Sequence, residues 1–589
     1  MQRRLREMPG VTILIYEQTC AAEKRRRRKK GEMVDPARRV YINDRVCEGC
    51  GDCSVQSNCV AVLPLETPLG RKRKIDQSAC NKDYSCAKGF CPSFVGVLGG
   101  QPRKKAGALT RRADEVARLV DALPQPQPHR WAAPYDLLIT GVGGTGVVTL
   151  GAVTAMAAHL EGKSASVLDF MGFAQKGGSV LSFVRLADTP ARLNQVRIDT
   201  QQADAIVACD AVVGASADAL QTVRHGRTRV LANTHEVPVA ESLHNPDAQL
   251  KIPQLLEKLE FAAGADRVET LDAQGLAEAL LGDSILANML TLGFAWQRGL
   301  VPVSGAAMMR AIELNGVAVE TNQLAFSLGR LHAASPAALR QLVQDESLDT
   351  PPAETLDALI ARGIAHLTAY QSRAYAARYA DFVGAVRQRE QQVSTDPALP
   401  FTHAVARSLL KLMAYKDEYE VARLHTDGHL TQALRQQFEG DFDIEFYMAP
   451  PFLSRSKDSQ PPRKIRLGSW LYRAMKVLAA GRVLRGTALD LFGRTRERRM
   501  ERQLVTDYMR RIESLLPALD ASRVPVATEL AVLPLSMRGY GHVKLANVAL
   551  GRVREAELLH RFDPQTYPRP VAERKAGQLR GIAVVSQNA

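Results

Sequence analysis

Residues 135–151 read YDLLITGVGGTGVVTLG. The first six residues are an apolar run of strand length, the next six match G-x-G-x-x-G, and the apolar residues after them resume at helical spacing. A strand, a glycine turn and a helix in that order open a doubly wound α/β sheet. Strands are expected next at 166–170 (SVLDF), 204–209 (DAIVAC) and 229–233 (RVLAN), with a helix over 147–159 and further helices at about 270–345. The same alternation explains the uncharged stretch 137–160, which is long enough for a bilayer but carries five glycines and reads as a buried β-turn-α unit.

Gly141, Gly143, Gly144 and Gly146 are candidate cofactor-binding positions, and Asp169 falls at the end of the next strand, where a ribose-binding acid stands in dinucleotide folds. An isolated match is weak, because glycines there also serve close helix–strand packing or approach to another subunit's cofactor. A second loop, Gln175-Lys176-Gly177-Gly178-Ser179, sets a lysine beside paired glycines. It reads equally well as an anion cradle or as a tight turn with one exposed lysine.

N-terminal to this unit, seven of the nine cysteines lie between Cys47 and Cys91. The first fifteen residues carry three arginines and no long apolar core, so a secreted disulfide framework is not indicated and a reducing cytoplasm is the expected setting. Cys47, Cys50 and Cys53 form C-x2-C-x2-C, whose short spacers place three thiolates on one face of an iron–sulfur cubane, and Cys91-Pro92 fits the distant fourth position. The second run, Cys80-x2-Asp83-x2-Cys86, keeps the register with a carboxylate in the middle. Two [4Fe–4S] sites follow: Cys47, Cys50, Cys53 and Cys91 for the first, and Cys59, Cys80, Asp83 and Cys86 for the second. Aspartate is a hard ligand for iron–sulfide, so the second site also admits a three-iron form. Five residues separate Cys53 from Cys59, where three are standard, and Val60 stands where proline is expected. A pair of structural zinc sites is the alternative, but zinc knuckles rarely present a three-cysteine comb.

The net charge of +15 is concentrated in two places. Residues 1–45 carry 13 Lys/Arg against 6 Asp/Glu, including the run from Lys24 to Lys30, and residues 463–511 carry 14 against 4. A solvated basic surface and a dock for an acidic partner both account for this. Nucleic acid lacks the support of an aromatic-rich basic motif or a zinc finger. Residues 11–16 (VTILIY) read as a buried strand, residues 101–131 as a linker with one helix at 108–123, and residues 353–589 as mainly helical with a loop near 447–463. His425 and His429 flank a turn and do not suggest a metal site.

The runs VCEGCGDCSVQSNC (46–59), GRKRKIDQSACNKDYSCAKGFCPSF (70–94), TGVGGTGVVTLG (140–151) and FAQKGGSV (173–180) resemble the indolepyruvate ferredoxin oxidoreductase family in its long fused bacterial form. YKDEYEVARL (415–424) and RGYGHVK (538–544) resemble signatures of its last domain. The resemblance implies a remnant of a thiamine diphosphate domain over 1–40, a ferredoxin-type module over 41–100, a linker over 101–131, a Rossmann-like gamma-type domain over 132–350 and a helical domain over 351–589. It also implies oxidative decarboxylation of an aryl 2-oxoacid with coenzyme A, electrons passing to ferredoxin.

No GDG motif occurs in the chain, so thiamine diphosphate and Mg2+ are expected on upstream sequence or on a partner subunit within an oligomer. No catalytic base is assigned. Arg538, His542, Lys544 and Lys176 are candidates for contacts to substrate, CoA or a partner, with a structural role the simpler reading. The alternative function is an independent NAD(P)-linked iron–sulfur oxidoreductase using the GVGGTG loop; a third is a non-enzymatic assembly or nucleic-acid-binding protein.

Overall fold

In the computed structural model the described residues are 1–103, 112–127, 129, 131–143, 145–171, 178–236, 245, 251–343, 354–449 and 464–569. Two units are formed, one from residues 1–66, 71–352 and 427–471 and the other from residues 67–70, 353–426 and 472–589.

In the first unit, strands frame the cysteine block. After the basic helix α1 (Ala21–Lys29), strand β1 (Arg38–Ile42) leads into the first cysteine loop and the short helix α2 (Asp52–Ser57). The ribbon β2 (Val62–Leu65) and β3 (Lys72–Ile75) separates the two cysteine runs. Strand β4 (Phe94–Leu98) then returns antiparallel to β1, with Val40 opposite Gly96. Val40, Ile42, Val62, Ile75 and Phe94 are buried in one small cluster that includes Cys47, Cys53 and Cys86. So few apolar side chains are a thin core for a module of this size. Polar contacts tie it to the α/β part of the same unit: Arg71 to Glu236 at 3.3 Å, Lys74 to Glu278 at 2.8 Å, and Ser284 Oγ donating to Asp76 at 3.2 Å.

A two-residue strand β5 (Gln101–Pro102) and the helix α3 (Ala113–Asp121) precede the α/β fold; α3 falls within the helix expected at 108–123, of which 108–111 lie outside the described residues, and it buries Val116 and Val120. Strand β6 (Tyr135–Val142) is buried along its whole length, helix α4 (Val147–Leu160) follows the glycine turn, and β7 (Ser164–Met171) follows α4. The expected strands at 204–209 and 229–233 are β9 (Ala205–Ala208) and β10 (Arg229–Asn233); the intervening β8 (Ser179–Ala187) and the later β11 (Val268–Leu271) were not anticipated. The sheet order is β11-β10-β9-β6-β8-β7, with β11, β10, β9 and β6 parallel and β8 antiparallel to both of its neighbours. The doubly wound expectation holds for the parallel core. Beyond β6 it gives way to an antiparallel β7–β8 pair, because SVLSFVRLA is itself an apolar strand and follows β7 after fewer residues than a parallel crossover needs.

Helices α5 (Ala287–Gln297) and α6 (Val319–Ala334) cover this sheet core, and α5 is buried from Ala287 through Trp296. They cross at two glycines. A Cβ on Gly293 would lie 2.0 Å from the Phe326 carbonyl oxygen, and one on Gly329 would lie 2.0 Å from that of Leu290. Gly293→Ala is therefore expected to destabilise the chain by about 1–3 kcal/mol through overpacking, read from the urea midpoint. Gly384→Ala, on an exposed helical position with nothing within 4 Å, is expected to stabilise by about 0.4–1 kcal/mol.

The mainly helical expectation for 351–589 holds among the described residues, with three short strands added to it. Strand β12 (Phe438–Glu439) pairs with β5, β13 (Asp443–Met448) pairs with β4, and β14 (Ile465–Leu467) pairs with β13, giving the sheet β1-β4-β13-β14. Glu445 of β13 lies opposite Gly96, whose missing side chain lets Arg38 reach across to Glu445 at 3.0 Å. Residues 11–16 also depart from expectation: they form no strand, and Val11 and Ile15 are 95% and 87% exposed. An apolar β-rich run becomes a strand only when a neighbour accepts its backbone hydrogen bonds.

The second unit is a helical core. Helices α7 (Leu356–Tyr370) and α8 (Arg373–Val393) pack on α9 (Pro400–Met413), which also buries Phe401, Val405, Leu409 and Met413 against α11 (Arg496–Leu515) and α12 (Val524–Val532); α10 (Glu418–Thr426) and α13 (Gly541–Phe562) complete the helices discussed below. Leu399 cannot cap α9 with its side chain, and the buried Glu390 of α8 substitutes for a cap by accepting from the Phe401 and Thr402 amides at 3.0 and 2.6 Å. Among the described residues no helix is long and apolar enough to cross a membrane.

Candidate functional site

Glycines in left-handed conformation turn the first cysteine loop: Gly49 has φ +67° and Gly51 φ +77°, and Gly51 starts α2 so that Cys53 falls in its first turn. The Gly49 amide donates to Cys47 Sγ at 3.3 Å. Cys91 arrives from the other end of the block because Gly89 lies directly on Cys53; a Cβ there would be 2.9 Å from both Cys53 Cα and Cys53 N. The Phe90 amide donates to Asp52 at 2.6 Å and fixes this approach. Cys47, Cys50, Cys53 and Cys91 thus stand round a small recess, open to solvent in part, that is also lined by Ile42, Arg73, Phe90 and Phe94.

Among the described residues no three ligand-type side chains close on a single metal ion. The electrostatics of the first set nevertheless ask for a cationic core. Burial pushes the Cys50 and Cys53 thiols well up, and the neighbouring Cys91 and Cys47 push both further. Thiols held so close together, with Cys50 and Cys53 pushed up by burial and by their neighbours, become thiolates only when iron compensates their charge, so this donor set fits an iron–sulfur cluster.

The second set is also gathered. Burial raises the Cys80 thiol and lifts Cys86 to about 12, with Cys59 and Asp83 adding repulsion to both and Cys80 adding to Cys86. The Lys82 amide donates to Cys80 Sγ at 3.4 Å from a left-handed turn. Asp83 differs from its three companions. It is exposed, and one carboxylate oxygen already accepts from the Ser85 amide and hydroxyl at 2.9 and 2.7 Å. Helix α1 reaches this loop: Arg25 donates to the Ala79 carbonyl at 2.5 Å and Arg28 to that of Asn81 at 2.6 Å, on either side of Cys80. Arg26 and Arg27 pair with Glu23. Part of the basic run is therefore internal architecture of the cysteine module.

Two basic residues near the cysteines carried no signal in the sequence. Arg73, 4% exposed on β3, lines the recess and draws the Cys53 thiol downward against the effect of burial. Lys464, 377 residues from Ala87, enters with β14; its Nζ donates to the Ala87 carbonyl at 3.1 Å and stands 4.8 Å from the Phe94 ring centroid. Burial lowers its ammonium, and the sulfurs of Cys91, Cys53 and Cys86 oppose that shift.

The two glycine loops meet, with the Gly143 amide donating to the Gly178 carbonyl at 2.7 Å. Gly144, Lys176 and Gly177 lie outside the described residues. Gly141 serves packing: a Cβ there would be 2.7 Å from Val147 Cγ2 and 3.1 Å from Cys209 Cβ. Gly146, at φ +98° in open space, serves the turn into α4. Asn288 of α5 holds the loop by donating to the Thr145 carbonyl and hydroxyl at 2.9 and 3.1 Å. Asp169 is not beside this loop as a ribose acid would be. It sits on the edge strand β7 opposite Ser182, so β8 separates it from β6 by two strand spacings, about 10 Å.

The second-unit motifs resolve into buried charge pairs. Asp417 of the 415–424 run is bridged by Arg485 at 2.6 and 2.8 Å, and Glu418 by Arg498, which also meets Glu501 at 2.6 Å. Lys544 of the 538–544 run binds Glu501 at 2.5 Å, the structural role anticipated for it. His425 is fully buried on α10, while His429 lies 3.3 Å from Asp44.

Residues 136–331 match the family model described as pyruvate ferredoxin/flavodoxin oxidoreductase, and residues 356–557 match a family of unknown function (DUF6537). The chain is 29% identical over 203 residues to the indolepyruvate oxidoreductase subunit IorB of Pyrococcus horikoshii, covering 33% of this chain and 94% of that protein. It is 27% identical over 179 residues to the gamma subunit of the NADH-dependent phenylglyoxylate dehydrogenase of Aromatoleum evansii, covering 30% and 82%. A solved relative is the gamma subunit of the keto/oxoacid ferredoxin oxidoreductase of Geobacter sulfurreducens, 25% identical, with 34% of this chain and 97% of that chain covered at a TM-score of 0.25. With that family model over the glycine-loop fold, residues 136–331 carry the pyruvate ferredoxin/flavodoxin oxidoreductase domain, and this third of the chain is similar to subunits of indolepyruvate and other 2-oxoacid oxidoreductases.

Proposed function

We propose that this chain is the electron-carrying and gamma-domain component of an indolepyruvate-type 2-oxoacid:ferredoxin oxidoreductase. Cys47, Cys50, Cys53 and Cys91 hold one [4Fe–4S] cluster, and Cys59, Cys80 and Cys86, with Asp83 as a weak fourth ligand, hold the second. The observation that carries this reading is the recess bounded by the four cysteines Cys47, Cys50, Cys53 and Cys91, with the Cys50 and Cys53 thiols pushed up by burial and by the neighbouring sulfurs. When bound, such clusters supply one-electron transfer. The chain's own residues hold the sulfurs in place, through Gly49, Gly51 and Gly89, and shield them with Ile42, Phe90 and Phe94. Carbanion chemistry at the 2-oxoacid needs an electron sink that these residues do not provide. We assign thiamine diphosphate and Mg2+ to a partner subunit or to upstream sequence, CoA and the aryl 2-oxoacid to the assembled enzyme, and ferredoxin to the role of acceptor.

The test is anaerobic reconstitution followed by iron and sulfide analysis, EPR and activity. About eight irons per chain are expected for two cubanes, and fewer than about four would exclude a two-cluster relay. Indolepyruvate oxidation should be absent with the chain alone and appear on adding a thiamine-bearing partner; robust oxidation by the chain alone would overturn the division of labour. Reduction of the clusters by NADH without a partner would favour the pyridine-nucleotide reading, which the displaced Asp169 does not support.

A further inference from the structure

Lys464 comes from a part of the chain that no cysteine spacing points to, yet it stands between the two cysteine sets. Its Nζ binds the carbonyl of Ala87, the residue after Cys86 of the second set, and faces the ring of Phe94, which lines the recess of the first. Asp52 is a carboxylate close enough to act on it, and that carboxylate also accepts from the Phe90 amide. The β13–β14 pairing, with Met448 opposite Ile465, brings residue 464 to this place, so its position is built into the sheet.

The geometry points to Lys464 as a positioning residue that raises the reduction potentials of both clusters. This rests on the cluster reading above. Reduction adds one electron, and so one negative charge, to a cluster; an ammonium held in a site of low dielectric stabilises the reduced form over the oxidised one. No bond to Lys464 forms or breaks in this step, and the reductant is the species oxidised.

The experiment is an EPR-monitored redox titration of the anaerobic full chain with dithionite, comparing the parent with Lys464→Gln and Lys464→Arg. Glutamine can still donate to the Ala87 carbonyl, so it removes the charge and keeps the hydrogen bond. For Lys464→Gln the reduced-to-oxidised ratio of each cluster at a fixed potential is expected to fall about tenfold, a downward shift of about 59 mV for a one-electron couple. Lys464→Arg is expected to restore both. Full iron content with both midpoints unmoved in Lys464→Gln overturns the proposal. Iron lost in both variants also overturns it, because Lys464 is then a packing element, whereas iron lost only in Lys464→Gln supports it. A parent chain that binds no iron overturns the cluster reading, and this inference with it.

Discussion

Cys53→Ser is expected to halve the iron of the reconstituted chain, from about eight to about four per chain. Cys53 lies at the tightest point of the first set: it is 7% exposed, falls in the first turn of α2, and has the Gly89 backbone against it. Serine preserves the shape, but its hydroxyl is a hard oxygen that remains protonated and matches iron–sulfide poorly. The second set is gathered by Cys59, Cys80 and Cys86 without Cys53, so its iron and EPR signal should persist. Cys59→Ser is the mirror image and should leave the first set intact. Asp83→Ala is expected to do less than either, removing at most one iron, because the exposed Asp83 carboxylate is already shared with Ser85. Eight irons in Cys53→Ser would overturn the first assignment; loss of all iron in both single variants would mean that the sets do not assemble independently.

Arg485→Ala is expected to weaken the second unit by about 3–5 kcal/mol, since it leaves Asp417 charged, buried and unpaired. The side chains of Arg485 and Asp417 are 3% and 5% exposed. The guanidinium makes two parallel bonds to Asp417, donates to the Tyr370 carbonyl at 2.6 Å and lies 3.7 Å over the Tyr370 ring. The paired carboxylate and the tyrosine ring hold Arg485 protonated despite its burial. Hydrogen–deuterium exchange of the full chain localises the effect: amides of α7 and α10 should exchange roughly 10²- to 10³-fold faster. Lysine cannot reproduce the planar fork, so Arg485→Lys should recover only part of the loss. Unchanged exchange in Arg485→Ala would show that the pair is not what orders this unit.

The cysteine ligand pattern was legible because its geometry is local. Two residues between thiols is a length that wraps one cubane face, and positive φ at Gly49 and Gly51 is what glycine permits cheaply. The glycine loop was legible as a turn between strand and helix but not as a site. The glycine at 141 serves packing against Val147 and Cys209, and a motif expression does not distinguish that from a nucleotide's approach. β8 had a readable apolar pattern, but the preceding Lys-Gly-Gly drew attention to a loop. The run at 11–16 had strand composition and no strand, because composition does not supply a partner.

By itself, then, the sequence determined the elements whose causes lie within a few residues: the two cysteine runs, the β-turn-α unit at 135–160, and the core strands β9 and β10. Only the tertiary structure decided which of these became neighbours. It placed β8 between β6 and β7, which moved Asp169 away from the glycine loop, and it added β13 and β14 to the cysteine module's sheet. It turned Arg25 and Arg28 from surface charge into ties on the Cys80 loop, and brought Lys464 between the two sulfur sets. The physical reason is the same in each case: sheet order and buried charge are settled by contacts between distant segments, which leave no period, spacing or composition in the chain around them.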